Sequence, residues 1–225
     1  MLPETLVDGH REFLCGRFVG ERERYEALAE TGQRPAIMIV GCVDSRVSPE
    51  VIFNAAPGEL LVVRNVANLV PAYEPTRDAL HSTSAALEFG IRTLEVAHVV
   101  VLGHARCGGV RAFAERRKPL SPDDFIGRWV SQIAPAAEAL GPRDPADVDD
   151  DAYLDRLEFA SVAMSLRNLA TYPIVRARVE QGTLQLHGAY FGIAAGRLLV
   201  RDPETGRFEP VADGVPPRRT LMHCG

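Results

Sequence analysis

Cysteine is scarce in this chain and shows no pairing pattern. Cys15, Cys42, Cys107 and Cys224 are its only thiols in 225 residues. That is too few for a disulfide framework at this length, so the thiols fit a reducing compartment. An excess of basic charge is missing as well. The formal charge of −5 at pH 7 argues against the basic face that a nucleic-acid binder needs. No apolar run approaches the roughly 20 residues of a membrane span. The opening residues, MLPETLVDGHREFL, lack the charged-then-apolar pattern of a leader. Internal repeats and low-complexity tracts are absent. The expectation is a soluble cytoplasmic protein with neither nucleic acid nor membrane as partner.

What the chain does have is apolar material in short, punctuated runs. The hydrophobic share is 46%, enough for one substantial core at this length. Residues 8–30 read as a charged helical arm. Its Phe13, Leu14, Phe18, Tyr25 and Leu28 recur mostly at spacings of three, four or seven, which makes one stripe. After the break at TGQRP come three buried-strand runs, AIMIVG, ELLVVRNVAN and HVVVLG, with helical patterns between and after them. Ser48 and Pro49 read as the cap and first residue of a short helix. PLSPDDFIGRWVSQIAPAAEAL reads as one helix, and GPRDPADVDDDAY as an exposed acidic linker. YLDRLEFASVAMSLRNLATYP reads as a long amphipathic helix, and TLQLHGAYF as a fourth strand. GRLLVRDPETGRFEPV reads as a hairpin. Buried strands alternating with helices imply an α/β fold with a mostly parallel sheet. The acidic linker is not a domain boundary, because the fourth strand follows it and must join the same sheet to be buried. The expectation is a single domain.

Two strand ends carry chemistry. CVDSR places Cys42, Asp44 and Arg46 just after the first apolar run. GHARCGG places His104 and Cys107 just after the third. Ligands of open α/β sheets bind beyond the carboxyl ends of the strands. If the two strands are neighbours, about 5 Å apart, Cys42, His104 and Cys107 can converge. Two thiolates and an imidazole suit zinc. Three protein ligands are the catalytic pattern rather than the closed structural one. Cys107 also precedes the helix start at Gly108-Gly109, where backbone N–H groups favour a thiolate.

The two motifs, in this order and with their flanks, resemble the β-class carbonic anhydrases. The resemblance extends over GQRPAIMIVGCVDSRV, PGELLVVRNVANLVP, VVVLGHARCGGV, DFIGRWV, SLRNLATYPIVR and TLQLHGAYF, the last three closest to the plant-like branch. It implies one zinc ion per subunit on Cys42, His104 and Cys107, with water or hydroxide as fourth ligand. The implied reaction is reversible hydration of carbon dioxide to bicarbonate and a proton, by attack of the zinc-bound hydroxide. Asp44, paired with Arg46, would stay ionised and aim the attacking oxygen; released from Arg46, it could ligate the zinc itself and close the site. A carbon dioxide pocket lined by Gln33, Leu61, Val66, Phe89 and Gly108 is implied too. Leu61 and Phe89 stand where plant-like members often carry Phe and Tyr.

The same resemblance implies that residues 1–34 form an arm wrapping a second subunit. Residues 35–225 are then the zinc-binding catalytic domain, and the site lies at the interface of a homodimer or larger oligomer. Members with an inhibitory bicarbonate site use a Trp, an Arg and a Tyr. Here Ile39 and Phe191 replace the Trp and the Tyr although Arg64 is present, so no such site is expected. His10, His81, His98, His187 and His223 are candidates for proton transfer, with nothing in the sequence to choose among them. Two other readings stay open: hydrolysis of carbonyl sulfide or carbon disulfide on the same scaffold, and a non-catalytic zinc-stabilised protein that binds bicarbonate.

Overall fold

A six-stranded sheet in the order β2-β1-β3-β4-β5-β6 organises the chain. The structure is a computed structural model that describes residues 1–75, 81–115, 124–141 and 150–211. The strands are β1 (Ile37–Cys42), β2 (Leu60–Asn65), β3 (His98–His104), β4 (Gln185–Gly192), β5 (Arg197–Arg201) and β6 (Phe208–Pro210). The first four run parallel, and β5 and β6 return antiparallel as the expected hairpin. β1 pairs with β2 on one side and β3 on the other. The strand order therefore reverses at β1, and the crevice beyond its carboxyl end is the switch point where α/β sheets bind ligands.

Helices flank this sheet: α3 (Pro49–Ile52), α4 (Ser82–Glu88), α5 (Gly108–Ala114), α6 (Phe125–Val130), α7 (Ala134–Leu140), α8 (Asp150–Leu169) and α9 (Pro173–Glu180). One sheet face presents Met38, Val40, Val99 and Val101 to Leu87, Val162, Leu169 and Val175. Burial of these aliphatic side chains, each about 1.5–3 kcal/mol, is what fixes the long helix α8 against the sheet. At the carboxyl end a second cluster gathers Cys42, Val47, Ala67, Cys107 and Val110 beneath Ile133 and Leu157.

Several elements differ from the sequence reading. The strand expected over ELLVVRNVAN ends at Asn65, and Val66–Asn68 form a 3₁₀ turn in which Ala67 takes φ +64°. The N-terminal arm is two helices, α1 (Glu4–Cys15) and α2 (Arg17–Thr31), broken at Gly16. Gly16 caps α1 through its N–H to the Glu12 carbonyl at φ −110°, ψ −96°, off the helical path. Its missing side chain lowers the cost of leaving the helix. The expected helix around FIGRWVSQIAPAAEAL is α6, a 3₁₀ turn at Ser131–Ile133, and α7. Pro135 near the start of α7 lacks the N–H that a continuous helix would need there. Pro49 opens α3, but the Ser48 hydroxyl bonds the Glu50 carboxylate at 2.8 Å instead of capping the backbone. Most of the acidic linker, and His223 and Cys224, lie outside the described residues.

Neither α1 nor α2 has a fully buried residue. α2 is held to the loop before β2: Arg17 Nη2 donates to the Ala55 carbonyl at 2.9 Å and Arg24 Nε to that of Pro57 at 2.6 Å. No described helix is long and apolar enough to cross a membrane.

Candidate metal centre

Cys42 ends β1 and His104 ends β3, so the parallel pairing of the two strands brings them side by side. Cys107 follows one turn later as the N-cap of α5. The sulfurs of Cys42 and Cys107 and a ring nitrogen of His104 all lie within 4.8 Å of one another, and all three residues are buried. The condition the sequence left open, that the two strands be neighbours, is met.

The donor set fits a soft divalent cation. His104 Nδ1 lies 2.9 Å from the Ala105 carbonyl. A carbonyl only accepts, so Nδ1 carries the proton and Nε2 keeps a lone pair. That Nε2 is buried without a hydrogen-bond partner. A buried nitrogen without a partner is costly in a native core, and a cation between the two sulfurs would supply one. The thiols point the same way. Their mutual hydrogen bond pushes Cys42 well down, toward the thiolate, and pushes Cys107 up, with burial adding to the rise. Metal ligands of this type bind as thiolates, so a cation held between the sulfurs displaces thiol protons.

Asp44 stands beside this set without joining it. Arg46 Nε donates to Oδ1 at 2.9 Å and Arg46 Nη2 to Oδ2 at 2.7 Å, while the Arg46 backbone N–H also reaches Oδ1 at 3.0 Å. These hydrogen bonds from Arg46 hold the Asp44 carboxyl well below the usual carboxylate range. The Arg46 guanidinium also touches the Arg106 carbonyl at 3.2 Å, which links the two motif loops. Arg64 Nε donates to the Cys42 carbonyl at 2.7 Å and its Nη2 to the Asp44 carbonyl at 2.6 Å. Arg64 therefore binds the turn that carries a ligand and the carboxylate.

The pocket residues named from sequence divide into two groups. Val66 packs with Cys42 and Cys107, and Trp129 Nε1 pins its carbonyl at 2.7 Å. Gly108 follows Cys107 directly. Gln33, Leu61 and Phe89 lie toward the other end of β1. Gln33 precedes that strand and is exposed. Leu61 pairs with Met38, four residues before Cys42, or about 13 Å along the strand at 3.3 Å per residue. Phe89 adjoins Gly90, which packs on Leu61 and Met38, and is 46% exposed.

The sequence reading assigned no role to Glu158, or to its contact with Tyr190. Glu158, on α8, is 4% exposed. Its Oε1 accepts the Cys107 backbone N–H at 2.7 Å and its Oε2 accepts the Tyr190 hydroxyl at 2.6 Å. Burial pushes the Glu158 carboxyl up, against these two hydrogen bonds, and burial pushes the Tyr190 hydroxyl up too. A signal was available. Leu154, Glu158, Ser161, Val162, Ser165 and Leu169 make one buried helical stripe. A lone carboxyl on such a stripe calls for a partner.

A mostly parallel α/β sheet carries, at its switch point, a Cys-His-Cys set of three donors among the described residues, which is the ligand pattern of catalytic metal sites rather than of closed structural ones. The family model described as "Carbonic anhydrase" matches residues 37–198. The chain is 37% identical over 177 residues to the chloroplastic β carbonic anhydrase 5 of Arabidopsis thaliana. That match takes in 78% of this chain and 56% of the relative, so the chain spans little more than half the length of that protein. A carbonic anhydrase of Pseudomonas aeruginosa is 34% identical over 208 residues, 92% of this chain and 91% of the relative. Among solved structures, the β-carbonic anhydrase CcaA superposes with a TM-score of 0.84 at 28% identity, over 92% of this chain and 91% of that one. The chain belongs to the carbonic anhydrase family, in its β class. Members of that class are zinc enzymes.

Proposed function

We propose that this chain catalyses the reversible hydration of carbon dioxide to bicarbonate and a proton, with zinc held by Cys42, His104 and Cys107. The observation that carries the reading is the buried Cys-His-Cys triangle with an ionised, Arg-held carboxylate beside it. When bound, zinc supplies a Lewis acid that makes water a nucleophile near neutral pH.

The protein's own groups do the rest. Asp44 Oδ2 takes one hydrogen bond from Arg46 and keeps acceptor capacity. An ionised carboxylate accepts and cannot donate. The attacking oxygen must therefore turn its O–H toward Asp44 and its lone pair elsewhere, toward the carbon of carbon dioxide. Arg46 keeps Asp44 ionised and fixed in plane through two side-chain bonds. Arg64 holds the turn from beneath. Neither His98 nor His187 suits proton transfer at this site. They bond each other at 3.1 Å, and His98 begins the strand that His104 ends, about 20 Å away. Both the ligand set and the Asp44–Arg46 pair are intact, which favours this reading over a non-catalytic one.

The active unit in this reading is a homodimer or larger. β2, with its Leu-Leu-Val-Val run, is a half-buried edge strand whose outer side pairs with no other strand among the described residues. Leu6, Leu14 and Val19 of the arm are exposed. Gln33, Leu61 and Phe89 cannot reach their own Cys42 and would line a second copy's site. Residues 1–34 are then the wrapping arm and residues 35–225 the catalytic domain. The unpaired Cys15, Cys42 and Cys107 suit the reducing cytoplasm.

The test is oxygen-18 exchange between carbon dioxide and water, with zinc content and mass in solution measured on the same sample. Asp44→Asn should keep stoichiometric zinc and lose about 10²-fold or more of the exchange. Full exchange in that variant, or wild-type protein without zinc, rejects the reading.

A further inference from the structure

The loop between His104 and Cys107 is held at successive peptide groups. The Ala105 N–H donates to the Phe191 carbonyl at 3.0 Å, and the Ala105 carbonyl accepts from the His104 ring. The Arg106 carbonyl accepts from Arg46, and Arg106 itself sits at φ +60°, a region that L side chains rarely adopt. The Cys107 N–H goes to Glu158. That last bond comes from inside the protein, from a carboxyl that is itself held by Tyr190. The Tyr190 ring packs against Phe159 at 4.4 Å between centroids and is 4% exposed. Three elements thus converge on one backbone amide: β4 through Tyr190, α8 through Glu158 and the N-cap of α5 through Cys107. Nothing in the ligand chemistry requires a carboxyl there, and among the described residues Glu158 has no cationic partner.

We propose that Glu158, oriented by Tyr190, is a positioning residue for the metal centre. It fixes the Cys107 peptide so that the sulfur meets those of Cys42 and His104 Nε2 on one ion. The inference rests on the zinc reading above and adds a determinant of how long the ion is held. Outer groups of this kind typically change metal affinity by about 10–100-fold when lost.

The experiment follows zinc release from the purified holoprotein into an excess of a colour-forming chelator. The variants are Glu158→Leu, Glu158→Gln and Tyr190→Phe, each checked for native near-ultraviolet circular dichroism. Glu158→Leu should release zinc about 10–100-fold faster. Glu158→Gln should stay within about threefold of wild type, because its amide oxygen still accepts from Cys107 and its NH2 can donate to the Tyr190 oxygen. Tyr190→Phe should fall between them. The cobalt-substituted protein adds a geometric readout. Its visible absorption should change in Glu158→Leu and not in Glu158→Gln.

Wild-type release from a folded Glu158→Leu overturns the proposal. If that variant does not fold, wild-type release from Tyr190→Phe overturns it instead. Equal, fast release from Gln and Leu variants also overturns it, since charge and not the hydrogen bond would then be at work. Wild-type protein that holds no zinc at all would overturn the metal reading itself, and is told apart by its metal content before any variant is made.

Discussion

Two adjacent glycines at the start of α5 should respond oppositely to the same methyl group. A Cβ on Gly109 would stand 2.7 Å from Val66 Cγ1, 2.9 Å from Ala67 Cβ and 3.3 Å from the Ala67 backbone nitrogen. Ala67 is fully buried at φ +64°, and the Val66 carbonyl is pinned by Trp129. The neighbours cannot yield cheaply, and overpacking of this kind costs about 1–3 kcal/mol. A Cβ on Gly108 meets nothing within 4 Å. Gly→Ala within a helix gains up to about 0.5–1 kcal/mol in either variant. Gly109→Ala should therefore lose up to about 2.5 kcal/mol net, while Gly108→Ala gains up to about 1 kcal/mol. At about 2–4 °C per kcal/mol for a chain of this size, melting should fall by up to about 10 °C in the first and rise by up to about 4 °C in the second. Scanning calorimetry on zinc-loaded protein reads both. Zinc content and exchange activity separate the causes. Gly109→Ala displaces the turn after Cys107 and should release zinc faster. Gly108→Ala should hold zinc fully and, if the proposed carbon dioxide pocket includes Gly108, lose activity, because its methyl group would stand next to Cys107. Equal melting shifts in the two variants would refute the packing argument.

Other consequences can be measured with the same protein. Arg64→Met removes two charge-assisted bonds to the Cys42 and Asp44 carbonyls. It should cost about 2–4 kcal/mol, read as a drop in denaturation midpoint at unchanged slope. In zinc-loaded protein a thiol reagent should modify the exposed Cys15 and spare the buried Cys42 and Cys107. Stripping the zinc should free both sulfurs from the metal and speed their reaction, and mass spectrometry locates the sites. In the β5–β6 turn, Asp202 Oδ1 accepts from the Glu204 and Thr205 N–H groups and the Thr205 hydroxyl. The Thr205 N–H, followed by its hydroxyl, holds the Asp202 carboxyl below its ordinary value. A folded pKa below the unfolded one adds stability above the ordinary value, near 3.9, that is lost as pH falls through the lower folded value. The stability gap between wild type and Asp202→Ala should accordingly be level above about pH 5 and narrow below about pH 4. A gap that widens in acid would contradict the sign.

Much of the architecture is legible in the order of residues alone. Buried strands read as continuous apolar runs because both faces of a parallel strand are covered, and the runs at 37–42 and 98–104 carry that pattern. Ligand-type residues just past such runs are conspicuous, since Cys, Asp, Arg and His gain nothing from the core there. Helix breaks were harder. Gly16 ends α1 without any change in the apolar stripe, because a stripe reports which face is buried and not whether the backbone is continuous. Glu158 sits within an otherwise ordinary amphipathic pattern, which shows that a carboxyl is buried but not which amide it binds.

By itself, then, the order of residues determined the two motifs, the donor chemistry of Cys42, His104 and Cys107, and the α/β class. Those properties depend on residue type and on spacing within a few residues. Only the tertiary structure decided that β1 and β3 are neighbours, that Arg64 and Glu158 hold the ligand loops, and that Leu61 and Phe89 lie far from their own Cys42. Each of these joins segments about 20 to 60 residues apart. Contacts over such separations are set by how the whole core packs, and no local pattern encodes them.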